Sequence, residues 1–181
     1  MICSDYNFAF TRRRFLRPCL TTEEIHELEQ LEKLCYPPAD RYDFRTLRMF
    51  CSLNGIGILR YYEESLPQRP LVGFHLFDCL NAELITLDVH PEFRGRGIAG
   101  QLLLLSLKKL RALGHTRATC EIAVNNTVSL HLHKKFGFKP WRLLRNYYGA
   151  GRHAYLMRAN LGALAQLQAD TPSLLQSPEV S

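Results

Sequence analysis

At 181 residues, with 46% hydrophobic and 22% charged residues, the chain fits one folded domain with at most a tail, and it can bury a sizeable core. Its longest apolar stretch, residues 102–105, is far too short to cross a bilayer, and the N-terminal Met1-Ile2-Cys3-Ser4 lacks a basic segment followed by an apolar run; a cytoplasmic address with no membrane partner is expected. The net charge of +6 suits a nucleic acid, an acidic protein face or a phosphorylated cofactor, but the basic residues are not interleaved with aromatic ones, which argues against nucleic acid.

Residues 8–15 are rich in aromatic and β-forming side chains and read as a first strand. Thr21-Thr22-Glu23-Glu24 then supplies a hydroxyl cap with acids in the first helical turn. Ile25, Leu28, Leu31 and Leu34 follow at helical spacing, and Tyr36-Pro37-Pro38 stops that helix. A second helix is expected over residues 43–52, with Phe44, Leu47 and Phe50 as its apolar stripe. Three β-like runs come next, at 57–62, 71–77 and 83–89, the last ending at His90-Pro91. A strong helix is expected over 98–113, a strand over 118–124, and a helix capped by Asn126 that ends before Gly137. Residues 138–145 and 153–159 form a last strand pair. The order β-α-α-β-β-β-α-β-α-β-β is a mixed α/β fold over residues 1–160, and residues 161–181 read as a tail, a short helix fading into disorder. Strand, helix and strand over 83–124 make one βαβ unit with a local parallel pair.

Six cysteines fall at 3, 19, 35, 51, 79 and 120, with no C-x-x-C and no zinc-like Cys–His spacing, so reduced, mostly buried thiols are expected. His131 and His133 stand two apart on a helix and point in different directions, so no metal site is expected there.

Arg94-Gly95-Arg96-Gly97-Ile98-Ala99-Gly100 joins a strand to a helix N-terminus. The first helical N–H groups have no intrahelical partner, and glycines let them close on an anion without Cβ obstruction. With two arginines added, a phosphate-binding turn is favoured over a plain tight turn. Gly95, Gly97 and Gly100 also satisfy G-x-G-x-x-G, and Glu121 lies about twenty residues on, as a dinucleotide site requires. Too few strands and helices follow for a dinucleotide sheet, however, and Glu121 sits mid-strand.

The segment from Leu87 to Ala99 resembles the acetyl-CoA motif of the GNAT superfamily: a strand, then Gln or Arg, two residues, Gly, one residue, and Gly or Ala, here Arg94, Gly97 and Ala99. A second stretch, from Glu121 through Asn126, Ser129 and His133 to Gly137-Phe138, resembles the strand–Asn–helix–Gly-Phe segment of the same superfamily. The resemblance spans residues 10–159. It implies two splayed parallel strands with pantetheine between them. The backbone of Leu87, Asp88 and Val89 would pair with pantetheine and the acetyl carbonyl. Amides of Arg94, Gly95, Arg96, Gly97, Ile98, Ala99 and Gly100 would hold the pyrophosphate. Asn126 and Ser129 would contact acetyl-CoA, His133 would wall it, and Lys135 would reach its outer phosphate.

Within the subfamily that acetylates protein N-termini, the position of Glu121 carries a base acting through water, and the position of His133 a tyrosine that protonates the leaving sulfur. The resemblance thus implies Glu121 as base and His133 as acid, with Glu83 on the other splayed strand as the alternative base. Tyr36-Pro37 and Tyr147-Tyr148 resemble the acceptor-binding loops of N-terminal acetyltransferases, including the RimI-type enzymes. They imply a protein or peptide N-terminus as acceptor and direct attack in a ternary complex. A small amine as acceptor, or a non-catalytic acyl-CoA-binding module, are the alternatives.

Overall fold

In the computed structural model, residues 2–3 and 20–163 are described. Helix α1 (Thr22–Cys35) begins with a full capping box, because Thr21 Oγ1 accepts from the Glu24 N–H at 3.2 Å and Glu24 Oε2 accepts from the Thr21 N–H at 2.7 Å. Its inward face carries Ile25, Leu28 and Leu31 as expected; Leu34 is exposed, and Glu32 is buried. Helix α2 (Phe44–Ser52) is capped by Asp43, which accepts from the Thr46 N–H at 2.8 Å.

Strands β2 (Ile56–Tyr62), β3 (Leu71–Asp78) and β4 (Glu83–Val89) form an antiparallel meander. Helix α3 (Ile98–Ala112) crosses over to β5 (Arg117–Ala123), helix α4 (Thr127–Lys135) follows, and β6 (Lys139–Leu144) and β7 (Ala154–Asn160) close the chain as a hairpin. At the other edge, β1 (Ile2–Cys3) pairs antiparallel with β2. The spatial order is β1-β2-β3-β4-β5-β7-β6, a mixed α/β sheet, and from α1 onward its helices and strands follow the expected sequence. The strand expected over 8–15 lies outside the described residues, as does most of the tail from 164 on. Leu161, placed at the start of the tail, is buried, and its N–H bonds the Thr116 carbonyl at 2.9 Å.

Apolar residues cover both faces of the sheet. Leu28, Leu47, Phe74 and Leu76 pack under α1 and α2, while Val72, Phe77, Leu103, Leu107, Phe138 and Met157 pack beneath α3 and α4. Truncating such a side chain, as in Leu107→Ala, costs about 2–5 kcal/mol. Cys51, Cys79 and Cys120 are buried and Cys35 half-buried, all as free thiols. Among the described residues no helix is long and apolar enough to cross a membrane.

The feature that makes a site is a break in this sheet. Strands β4 and β5 are paired at one position only, Glu83 with Thr119, and the Thr119 N–H bonds the Ala82 carbonyl at 3.0 Å. Beyond that point β4 keeps pairing with β3, and β5 with β7, so the two strands diverge. Backbone groups of β4 that face the gap have no strand partner, the kind of edge to which an amide-bearing chain can add.

Candidate functional site

The chain leaves β4 through a short 3-10 turn at Pro91–Phe93, and the Arg94 Nε turns back to donate to the Val89 carbonyl at 3.1 Å. Gly95 and Gly97 then take φ of +78° and +76°, a region that penalises any side chain. Gly97 is the N-cap of α3, and no side chain caps that helix, so its first-turn N–H groups point outward with the positive end of the helix dipole. A Cβ at Gly95 would meet nothing within 4 Å, so there the glycine answers to backbone conformation rather than to crowding.

This turn lines a cavity of about 740 Å³. Arg94, Gly95, Gly97, Ile98, Ala99 and Gly100 form one wall, Leu87, Asp88 and Val89 of β4 a second, and Asn126, Ser129 and Lys135 of α4 a third. An uncapped helix terminus, glycines at positive φ and two basic side chains fit a phosphorylated ligand, and the open β4 edge fits an amide-bearing arm. Two expected members stand apart from this cavity. The Arg96 guanidinium lies over the Phe93 ring at 4.6 Å, with Glu63 at 3.8 Å, and His133 lines a neighbouring cavity. The Val89 carbonyl also accepts from the Cys35 thiol at 3.4 Å.

The second cavity, of about 260 Å³, adjoins the first, because Tyr36, Leu87, Asn126 and Ser129 line both. Glu121 and Tyr148 line it as well, and the Tyr148 hydroxyl donates to the Glu121 backbone carbonyl at 3.3 Å. Burial, reinforced by the charge of Glu83, raises the pKa of the Glu121 carboxyl above the usual carboxylate range. Glu83 itself sits where β4 and β5 are still paired and acts on this cavity through its charge, on Tyr42 and Tyr147 as well as on Glu121. Tyr147 stacks edge-on against Tyr148 at 4.8 Å and is half exposed, while Pro37 lies exposed beside Tyr36.

His133 is buried and its pKa is lowered by burial. Its Nδ1 lies 2.9 Å from the Ser129 carbonyl, which can only accept, so Nδ1 carries the proton and Nε2 the lone pair. The Ser129 hydroxyl, 3.3 Å from the same nitrogen, can accept from it as well. At rest His133 is therefore a neutral acceptor at Nε2, and it must gain a proton there before it can serve as the acid that the resemblance implies.

The structure adds residues that sequence reasoning did not single out. Glu32 and the side chain of Asp88 are buried together under Thr86, whose hydroxyl lies 3.3 Å from Glu32 and 3.4–3.5 Å from the two Asp88 oxygens. Burial raises both carboxyl pKa values; the charge of Glu32 then raises Asp88 further, while the hydrogen bond with Asp88 partly offsets the rise at Glu32, so the pair retains a proton above the ordinary carboxylate range. Tyr36 lies close to Asp88 and Thr86, and the Tyr42 N–H donates to Glu32 at 3.2 Å, which sets the α1–α2 loop against this buried pair. Asp40 and Arg152 close the rim of the second cavity. Glu32 had a sequence signal, since it lies four residues after Leu28 on the helix face that is otherwise apolar.

Similarity to known proteins agrees with this geometry. Over 79 residues, 43% of this chain and 47% of the relative, the chain is 35% identical to an N-alpha-acetyltransferase of Sulfurisphaera tokodaii. The chain spans about half the length of the first curated relatives it matches. Among solved structures, it resembles the ribosomal-protein-S18-alanine N-acetyltransferase of Escherichia coli with a TM-score of 0.67 at 17% identity, covering 78% of this chain and 90% of that one. It also resembles the spermidine/spermine N-acetyltransferase SpeG of Vibrio cholerae with a TM-score of 0.61 at 17% identity, covering 81% and 92%. Residues 23–138 match the Acetyltransferase (GNAT) family from the first turn of α1, through the divergence of β4 and β5 and the glycine turn, to the end of α4, and the chain belongs to that family.

Proposed function

We propose that the chain transfers an acetyl group from acetyl-CoA to a primary amine, and that the acceptor is a protein or peptide N-terminus attacking directly in a ternary complex. The observation that carries this reading is the pair of adjoining cavities at the β4–β5 gap, one fitted to a phosphorylated ligand and the other lined by a carboxyl of raised pKa, tyrosines and two histidines. Acetyl-CoA would supply an acyl group on a thioester, whose sulfur must leave with a proton.

In this reading Arg94, Lys135 and the first-turn amides of α3 bind and orient, and the open edge of β4 fixes the arm. Glu121 takes the acceptor's proton through water. An α-amino group has a pKa of about 8 against about 10.4 for lysine, so a weak base suffices. Once the neutral amine has attacked, its nitrogen sheds a second proton, which His133 gains at Nε2 and hands on to the leaving sulfur, so amide and free thiol form without another donor. Tyr36 and Tyr148 wall the acceptor, Tyr147 packs edge-on against Tyr148 outside the cavity lining, and the N-alpha-acetyltransferase relative supports a terminal amine.

A second reading has its own observation. Glu32, Asp40 and Glu121 all line the acceptor cavity, which suits a cationic small amine of the polyamine class. Free thiol release from acetyl-CoA, followed with a library of peptides of varied first residue and with a panel of small amines, separates the two. Turnover on peptides that disappears when their α-amine is blocked supports N-terminal acetylation; turnover on polyamines alone overturns it. Tight CoA binding without turnover on any amine would leave a binding module.

A further inference from the structure

His75 stands in a strand, β3, whose neighbouring positions are apolar: Leu71, Val72, Phe74, Leu76 and Phe77. It is fully buried, and among the described residues neither ring nitrogen has a hydrogen-bond partner. Phe77 packs on it at 5.6 Å, and the Leu102 carbonyl, though near enough to favour the charged ring slightly, does not reach it in bonding geometry. A neutral imidazole always carries one donor and one acceptor, and leaving both unmet in an apolar core costs stability. His75 pairs with Leu87 in the sheet, directly beside the gap, and it lines the acceptor cavity together with His133 and Ser129.

The two rings are complementary. His133 presents a lone pair at Nε2, since its Nδ1 proton is committed to Ser129. We propose that His75 and His133 hold one bridging water on the floor of the acceptor cavity, which makes His75 a positioning residue for the proton that His133 handles. The water accepts from the His75 N–H and donates to His133 Nε2. The site is polar enough for it, with Ser129, Thr86 and Glu121 on the same walls. Burial, and then the charge of His133, lower the His75 pKa to about 3 and hold it neutral, so the pair carries at most one extra proton near neutrality. The bridge rests on the acetyl-transfer reading for its kinetic consequence only.

The test uses the full chain with ¹⁵N-labelled histidines. Long-range proton–nitrogen spectra are expected to show His133 protonated on Nδ1, its Nε2 displaced from the position of an unbonded lone pair, and magnetisation transfer from water to the His75 ring. In His75→Phe the Nε2 resonance moves toward the unbonded position, the midpoint of thermal unfolding holds or rises, and CoA affinity is unchanged. Thiol release slows by about tenfold or more, with a displaced pH profile, and His75→Gln, which again offers a donor and an acceptor, restores part of the rate. Unchanged His133 shifts and unchanged turnover in His75→Phe would overturn the bridge and leave His75 a core residue. Should His75→Phe not fold, the labelled native chain decides, since no water transfer to His75 also overturns it. Should no amine be acetylated, the nitrogen shifts still decide the bridge, and the acceptor reading alone falls.

Discussion

Arg152 donates from Nη2 to both carboxylate oxygens of Asp40, at 2.5 and 2.6 Å, and so ties the β6–β7 turn to the α1–α2 loop across the mouth of the acceptor cavity. The same guanidinium lies 5.9 Å from the Tyr148 ring, which adds a second hold on the hairpin. Both partners are partly exposed, so solvent screens the pair and its contribution to folding is small. Its effect belongs to the acceptor. Arg152→Ala is expected to raise the acceptor KM about twofold to fivefold while leaving CoA affinity unchanged, and Asp40→Ala should do the same. The double variant should be no worse than either single one, because the two side chains act through one contact. Full additivity of the two changes would show that the rim contact does not position the acceptor.

Gly97 offers a sharper test of the cofactor end. Its φ of +76° at the N-cap of α3 strains any replacement, and a carboxylate there would face the ligand's phosphates. Gly97→Ala isolates the backbone strain, and Gly97→Glu adds charge. Calorimetry with CoA should show a modest loss for the first and a loss of about tenfold or more for the second, with the gap between them shrinking in high salt. Equal affinities for the two variants would remove the phosphates from this turn.

Much of this layout is legible in the residues themselves. Thr21 and Glu24 announce α1, Asp43 and Asn126 announce α2 and α4, and the glycines announce the turn, because caps and turns are local chemistry. What escapes is tertiary. Arg96 looks like a phosphate ligand in sequence, yet the Phe93 ring three residues earlier takes its guanidinium. Asp40 and Arg152 lie 112 residues apart, and nothing near either one points to the other. The tautomer of His133 follows from the Ser129 carbonyl one turn back, visible only once the helix is built. Leu34 continues the apolar spacing of α1 but overruns the sheet, while Glu32 is buried because Thr86 and Asp88 wait beneath it.

In the proposed reaction Glu121, as the base, sets the pH dependence of turnover. Its carboxyl is held above the ordinary range by burial and then by Glu83, and a base works only when ionised. The value of kcat/KM should therefore rise with pH through the raised pKa of Glu121. Glu121→Gln is expected to lose about a hundredfold or more in rate and to flatten that limb. Glu83→Gln should shift the limb to lower pH without removing it, since it withdraws a repelling charge. If Glu121→Gln keeps the wild-type profile and Glu83→Gln loses it, the base is Glu83.

The buried pair of Glu32 and Asp88 gives a prediction about stability rather than rate. Both carboxyls have pKa values raised in the folded state, each by burial first and Asp88 by the charge of Glu32 next, with Tyr36 and Cys35 as the other titratable neighbours. For raised carboxyls the folded state binds more protons than the unfolded one. The stability they confer is complete below the unfolded carboxylate pKa, about 4, and is lost as pH rises through the folded values, by about 1.4 kcal/mol per pH unit for each proton released. Buried His75 acts oppositely, removing stability as pH falls toward 3, so the wild-type curve alone mixes the two. The difference between Asp88→Asn and wild type separates them, because His75 contributes equally to both. Asp88→Asn keeps a partner for Thr86 and Glu32 but cannot ionise, so its advantage over wild type should grow steadily with pH above about 4 in urea unfolding series. A difference that stays flat from acid to mildly alkaline pH would mean that the pair does not retain a proton in the folded chain.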